Sequence, residues 1–496
     1  MSAIPKDASA VIILDQNLQS VLWAKRNPKL KFLGGFHGFP GGKIDADDEL
    51  ADVRNCPETE VRLIACAARE VFEEIGVLLV KNGEKLTVGQ RNSLHDDLIS
   101  GRFPFSEILK TWGLWIDAED FVYRDCWTTP DFSPVRFKTR FYISVCPQKQ
   151  TPYPAIDELQ NIEFIAPETA LKRWSKSKIL IAPPVLAALR ELKESTDSST
   201  KRISISGFAN SRSQSEKVEY IELNPRLICF PLRTKTLPPA THTNCFIFGK
   251  RDFVVIDAAS KEGAEQQKLH DLVDEFIVKG YTCKAIIVSH LHSDHFGGEA
   301  VLKEHLQRKF GLTVPVSAHR LTAESLNGLV KIDSMIEDEE IISLRDESGE
   351  TFEIKAFHTP GHARGHLCFY DEELGFLLSS DNVVGLGSVL VAPPEGNMIE
   401  YLKSLERMMN LPDLNFLCGS HGSAVADAKG KIEEYIRHRM ERENQILAAI
   451  KNGAETPQEI AEVVYSELDK KLFPLALKSV LAHLEKIESE RRNLIG

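Results

Sequence analysis

SHLHSDHFGG, residues 289 to 298, packs His290, His292, Asp294 and His295 into six positions. The chain otherwise uses histidine sparingly, with 15 among 496 residues. Upstream, KAIIVSH reads as a β-strand ending at His290, so the imidazoles project from the loop that follows. Neutral imidazoles and a carboxylate are the usual zinc ligands, and ligands close in sequence reduce the entropy of assembling a site. The bland alternative is a surface loop with coincidental histidines. Farther along, FHTPGHARGH supplies His358, His362 and His366. LLSSDNVV supplies Asp381 after an apolar run, and LCGSHGSA supplies His421 between small residues.

Length and composition bound the rest. A chain of 496 residues exceeds a single core, so several domains are expected. The net charge of −12 argues against a generally basic, nucleic-acid-coating protein. Nine cysteines, an odd number with no CxxC pair, suit reduced thiols in the cytoplasm better than a disulfide framework. The start, MSAIPKDASAVIILDQ, lacks an apolar stretch long enough for a signal peptide, and no segment has the length of a membrane span.

Residues 196–216 are rich in Ser and charge and are expected to be a linker. Residues 1–195 form one expected unit. In 217–430, β-type runs such as DFVVIDAA and KAIIVSH alternate with helical stretches, which indicates an α/β-type layered domain. Residues 431–496 read as a small all-helical tail. Within it, Thr456 caps a helix, Pro457 suits its first turn, Glu459 completes a capping box, and Gly453 ends the helix before it.

In order and context, the histidine and aspartate motifs resemble the metallo-β-lactamase-fold hydrolases over roughly residues 225 to 430. FVVIDAAS joins them, with Asp257 matching the acidic residue that ends an early strand. The resemblance implies an αββα sandwich and two zinc ions. His290, His292 and His362 would hold one ion. Asp294, His295 and His421 would hold the other, Asp381 would bridge, and Asp294 would also orient the nucleophile. His366 sits where some relatives place a substrate-contacting histidine, and His358 reads as a supporting or ordinary strand residue. Two close dications activate water at neutral pH and stabilise an oxyanion. The superfamily cleaves lactams, thioesters, lactones and phosphodiesters, so the bond stays open.

The tail, with HRMERENQILAAI, TPQEIAEVVYSEL and ALKSVLAHLEKI, resembles the winged-helix tail of lactamase-β-like proteins, among them an endoribonuclease. Its charges are roughly balanced, whereas an RNA surface favours a basic excess. RNA binding and a helical buttress or dimer contact both stay open, and the oligomeric state is not legible.

AAREVFEEIGVLL, residues 67 to 79, puts Glu70, Glu73 and Glu74 on one helix face beside Arg69. Like charges so placed repel unless a cation sits among them; otherwise they form a solvated acidic face. Together with FPGGKID upstream, this segment resembles the Nudix box. The spacing from Gly42 to Arg69 is longer than usual, through the insertion DELADVRNCPETEV, and Asp48 stands where the family has a glutamate. The insertion and VLWAKRNPKLKFLGGFHGFPGG are similar to the peroxisomal coenzyme A diphosphatase type, over about residues 6 to 193. This implies an α+β Nudix fold. Glu70, Glu73 and Glu74 would bind Mg²⁺ or Mn²⁺, with Glu70 and Glu73 catalytic, while Arg26, Gly41 and Gly42 would contact substrate. Glu158 and Glu163 are further candidates.

The expectation is a multi-domain hydrolase. A Nudix diphosphatase, acting on coenzyme A or a nucleoside diphosphate derivative, precedes a dinuclear zinc hydrolase of thioesters or phosphodiesters. The alternative is a zinc hydrolase or endoribonuclease regulated by a nucleotide-sensing, non-catalytic Nudix module. Its partners would be a small diphosphate or thioester, with RNA a candidate for the tail and no membrane.

Overall fold

The computed structural model describes residues 3–30, 32–210 and 218–495. Two compact units meet in the chain at Glu219 and Tyr220.

The first unit is built on a mixed eight-stranded sheet. At its centre lies Lys6–Leu14, paired in parallel with Phe137–Val145. Its continuous apolar run AVIIL is buried on both faces, as a central strand requires. Gly41–Lys43 pairs antiparallel with the same strand. The helix Val61–Ile75 packs over it and is buried along most of its length. This helix stops at Gly76, whose left-handed backbone (φ +67°) closes the last turn onto the Phe72 carbonyl. A side chain there would also collide with the Tyr153 ring.

The expected linker is partly folded. Thr196 bridges Ile203, and Asp197 closes the intervening turn by accepting from Ser199 and Thr200. Residues Ile205–Asn210 form a short helix that buries Phe208, and Ile203 joins the same apolar cluster. Two apolar anchors five residues apart outweigh a Ser-rich composition, so residues 196–210 belong to the first unit. The remainder of that stretch, 211–216, lies outside the described residues.

The second unit has a seven-stranded and a five-stranded sheet. Helices Gly263–Val278 and Glu299–Phe310 pack with the first sheet, and Met398–Met409 and Ala428–Lys451 with the second. That is the αββα arrangement. Asp252–Ile256 and Thr282–Val288 run parallel, as do Phe376–Ser380 and Phe416–Gly419. Parallel pairing brings strand C-termini side by side, so Asp257, the 289–295 loop, Asp381 and His421 all leave the sheets at strand ends. The tail follows as helices Ala428–Lys451, Pro457–Val464 and Phe473–Ile495 around their own apolar cluster. The Thr456–Glu459 capping box forms as read, with Pro457 in the first turn, and Gly453 takes a left-handed turn after the preceding helix.

Candidate metal centre and the acidic helix

Seven side chains of the second unit converge. The ligand atoms of His290, His292 and His362 lie within 4.8 Å of one another, as do those of His290, His295 and Asp381, and those of Asp294, His295 and His421. Asp381 is the common neighbour. Its carboxylate lies 3.5 Å from His295 Nε2, 3.6 Å from His362 Nε2 and 3.4 Å from His421 Nε2.

The rings are held from behind. His362 Nδ1 donates to the Leu390 carbonyl at 2.8 Å, and His421 Nδ1 to the His242 carbonyl at 2.9 Å. His295 Nδ1 donates to Asp257 at 2.9 Å. Asp257 is fully buried and also accepts from the Ser289 amide and hydroxyl, both at 2.7 Å. Both Asp257 (φ +55°) and Ser380 (φ +43°) adopt backbone conformations that L-residues rarely take, a form of strain that clusters at functional sites.

Behind-the-ring bonds leave the front nitrogens bare. Among the described residues, His290 Nε2, His295 Nε2, His362 Nε2 and Asp381 Oδ1 are buried without a hydrogen-bond partner. Orphaned buried polar atoms are costly, and these four, which fall in the overlapping triads above, fit bound cations. Imidazole with carboxylate is a zinc-type donor set.

Electrostatics sort the ring nitrogens. Burial, then crowding by His295, His292 and His362, pushes His290 well down. Burial and His292 push His362 down to about 3. These imidazoles are neutral, the ligating form. Burial would also lower His295, but the Asp381 and Asp257 carboxylates outweigh it and hold its pKa well up. Burial would raise Asp381, yet His421 and His295 hold it well below the usual carboxylate range.

His366 packs against the His290 and His362 rings, at centroid distances of 5.1 and 5.9 Å. It is fully buried, pairs through Nδ1 with Thr359 Oγ1 at 3.0 Å, and accepts the Asp381 amide through Nε2 at 3.1 Å. Its two ring nitrogens are thus engaged by Thr359 and by the Asp381 amide, where a substrate contact is expected from the sequence. His358 ends a strand and bonds the Arg364 carbonyl at 2.7 Å.

In the first unit, Arg69 organises the acidic helix. Its Nη1 lies 2.9 Å from both Glu70 and Glu73, and its Nε and Nη2 grip Asp48 at 2.8 and 3.0 Å. Asp48, fully buried in the insertion, thus holds the arginine. Gly41 N donates to Glu74 at 2.9 Å, and a Cβ on Gly42 would sit 2.5 Å from the Glu70 carboxylate, so a side chain there would displace that carboxylate. Arg26 donates weakly to the Phe32 carbonyl, and its charge is felt at Glu74. Burial raises all three glutamates, Glu70 to about 7. Unlike the second unit's ligands, these three carboxylates do not close into one tight cluster among the described residues. All-carboxylate donors nonetheless suit Mg²⁺ or Mn²⁺. Glu158 is exposed beside Glu74, whereas Glu163 is occupied by Trp23 and Arg173.

Both groups of side chains fall within stretches that match known protein families. Residues 5–102 match the NUDIX domain, 238–421 the metallo-beta-lactamase superfamily and 456–492 the beta-lactamase associated winged helix domain. The chain is therefore a hydrolase that carries a Nudix domain, a metallo-β-lactamase domain and a winged-helix tail, in that order. A beta-lactamase-like protein 2 homolog of Drosophila melanogaster is 29% identical over 50% of this chain and 82% of its own length. A nudix hydrolase 7 of Caenorhabditis elegans is 30% identical over 39% of this chain; the match spans 62% of that relative. An atrochrysone carboxyl ACP thioesterase of Aspergillus chevalieri is 26% identical over 50% of this chain and 77% of its own length. Among solved structures, a metallo-beta-lactamase family protein from Thermus thermophilus covers 54% of this chain and 95% of its own, at 22% identity and a TM-score of 0.43. A NUDIX hydrolase from Alicyclobacillus acidocaldarius covers 41% and 98%, at 26% identity and a TM-score of 0.36.

Several supporting groups escape sequence reading: the Leu390 and His242 carbonyls, and the way Asp257 holds His295. Only Asp257 leaves a sequence signal, as an acid ending an apolar strand. All nine cysteines are unpaired, and among the described residues no helix is long and apolar enough to cross a membrane.

Proposed function

We propose that the chain is a two-centred metal-dependent hydrolase. The second unit hydrolyses a thioester with two zinc ions, and the first cleaves a diphosphate bridge with Mg²⁺ or Mn²⁺. An acyl-coenzyme A, which carries both linkages, gives the fusion a shared substrate. The observation that carries this reading is the set of orphaned atoms made by Asp381 Oδ1 and the three imidazole nitrogens near it. The thioesterase name of one relative favours a thioester over a phosphodiester or RNA. Nine free thiols suit a reducing, cytoplasmic setting.

His290, His292 and His362 would hold one ion, and Asp294, His295 and His421 the other, with Asp381 between them. When bound, the two ions supply Lewis acidity and make water a nucleophile at neutral pH. The chain does the rest. Asp257 and the Leu390 and His242 carbonyls fix which ring nitrogen faces inward. Asp294, partly exposed and 3.6 Å from His421 Nε2, can orient the attacking water and hold its proton on Oδ2. In the first unit, Glu70, Glu73 and Glu74 would hold the cation, Gly41 and Gly42 admit phosphate close to the backbone, and Glu70, raised towards neutrality, can accept a proton.

One observation favours the alternative for the first unit. Arg69 already neutralises Glu70 and Glu73, an arrangement that would also serve a module that binds nucleotides without cleaving them. Metal analysis and a screen of diphosphates, thioesters and short RNAs on the whole protein decide. Tight diphosphate binding without Mg²⁺-dependent turnover would replace the first activity with sensing. Absence of zinc would remove the second.

A further inference from the structure

The segment 381–391 serves three of the converging side chains. It begins with Asp381. Its Gly385 and Leu386 amides donate to the His421 carbonyl at 2.8 and 3.1 Å. Its Leu390 carbonyl accepts from His362 Nδ1. The far side of this segment rests on the tail helix Ala428–Lys451. The Tyr435 hydroxyl accepts from the Val384 amide at 3.3 Å. Arg439 Nη2 donates to the Val389 carbonyl at 2.5 Å. The same guanidinium lies over the Tyr401 ring, at 5.3 Å, and the Tyr401 hydroxyl donates to the Asn382 carbonyl at 2.6 Å.

Arg439 is only 4% exposed, and among the described residues no carboxylate forms an ion pair with it. A buried guanidinium is costly unless its hydrogen bonds require it, and an apolar residue of similar volume would fill the place more cheaply. The carbonyl that it holds, Val389 O, precedes the one that orients His362.

We propose that Arg439 is a positioning residue for the His290–His292–His362 half of the metal centre. By fixing Val389 it fixes Leu390, and so keeps His362 Nε2 turned inward. The helix Ala428–Lys451, which leads into the winged-helix match at 456–492, is then a working part of the hydrolase rather than a mere connection. This rests on the two-ion reading of the site.

The test uses full-length, metal-stripped protein, titrated with Co²⁺ by visible absorption and with Zn²⁺ against a chelator. His292→Ala and Asp294→Ala identify which binding step belongs to which half. Arg439→Met is expected to weaken the His292 step about 10- to 100-fold, the usual cost of losing an outer partner, to alter the Co²⁺ spectrum of that step, and to spare the Asp294 step. Arg439→Lys, which keeps a donor but loses the planar group over the Tyr401 ring, is expected to recover part of the loss. Ile460→Val, in the tail's own cluster, lowers melting temperature and leaves both steps unchanged. Should Arg439→Met not fold, Arg439→Gln carries the test: it removes the charge and shortens the donor's reach to the Val389 carbonyl, and is expected to weaken the His292 step while sparing the Asp294 step. Unchanged steps in Arg439→Met, or parallel losses in both steps that track melting temperature in every variant, overturn the proposal. A wild type that binds no ion overturns the two-ion reading itself.

Discussion

Replacing Asp257 with asparagine isolates one charge at the back of the metal centre. Asparagine matches the shape and tolerates the left-handed backbone at φ +55°, so no strain is added. The carboxylate serves three donors: the Ser289 amide on one oxygen, and the Ser289 hydroxyl and His295 Nδ1 on the other. An amide has one acceptor oxygen. If that oxygen keeps Ser289 Oγ and His295, the Ser289 amide faces an NH₂ group and is left unpaired, at about 1–3 kcal/mol. The two remaining bonds change from charge-assisted to neutral, at about 1 kcal/mol each. Relief of burying a lone carboxylate offsets part of this, leaving a net cost of about 2–4 kcal/mol. For a domain of this size, that is a fall of roughly 5–12 °C in melting temperature. Calorimetry on metal-stripped protein measures it. Zinc competition should show a loss of about 10- to 100-fold at the His295 half. Unchanged melting and unchanged zinc affinity would refute the role given to Asp257.

Glu73→Gln keeps the shape of the acidic helix and removes one charge from its face. Mg²⁺-dependent diphosphatase turnover should fall on the order of 10²-fold, with thioester hydrolysis untouched; wild-type turnover would mark the face as merely solvated. His37, buried under Trp23 and the Leu180 carbonyl, has its pKa pushed down to about 4, chiefly by burial. Its stabilising effect is therefore present above pH 6.5 and lost as pH falls towards 4. That is about 3 kcal/mol, which denaturant titration across this window should show and His37→Gln should abolish. Fragments 1–219 and 220–496 should each fold. One ending at Thr200 loses buried Phe208 and Ile203 and should be less stable than 1–219 by roughly 3 kcal/mol or more; equal denaturation midpoints would show that the 201–210 segment adds nothing.

How far each feature is legible in the sequence follows its range. His290, His292, Asp294 and His295 share one loop, and Asp381 and His421 each end an apolar run, so chain order alone proposes the set. The Thr456 capping box is likewise local. Leu390 O, His242 O and Arg439 act through contacts with no sequence period, and any residue type can present a carbonyl. His366 reads as a substrate contact because its motif is local; only three-dimensional packing reveals that both nitrogens are engaged. The linker departs from expectation for a different reason. Composition averages over a window, and two apolar side chains among serines suffice to pin the segment.

In the proposed function, one chain opens two different bonds at two metal centres. Full-length protein is incubated with an acyl-coenzyme A in Zn²⁺ and Mg²⁺, and free thiol and the two phosphate-bearing halves, the phosphopantetheine and the adenosine bisphosphate, are followed separately. Wild type should release both. Asp381→Ala should abolish thiol release and keep diphosphate cleavage, and Glu73→Gln should do the reverse. Wild-type protein that holds its ions yet releases neither product, or variants that lose both activities together, would contradict it.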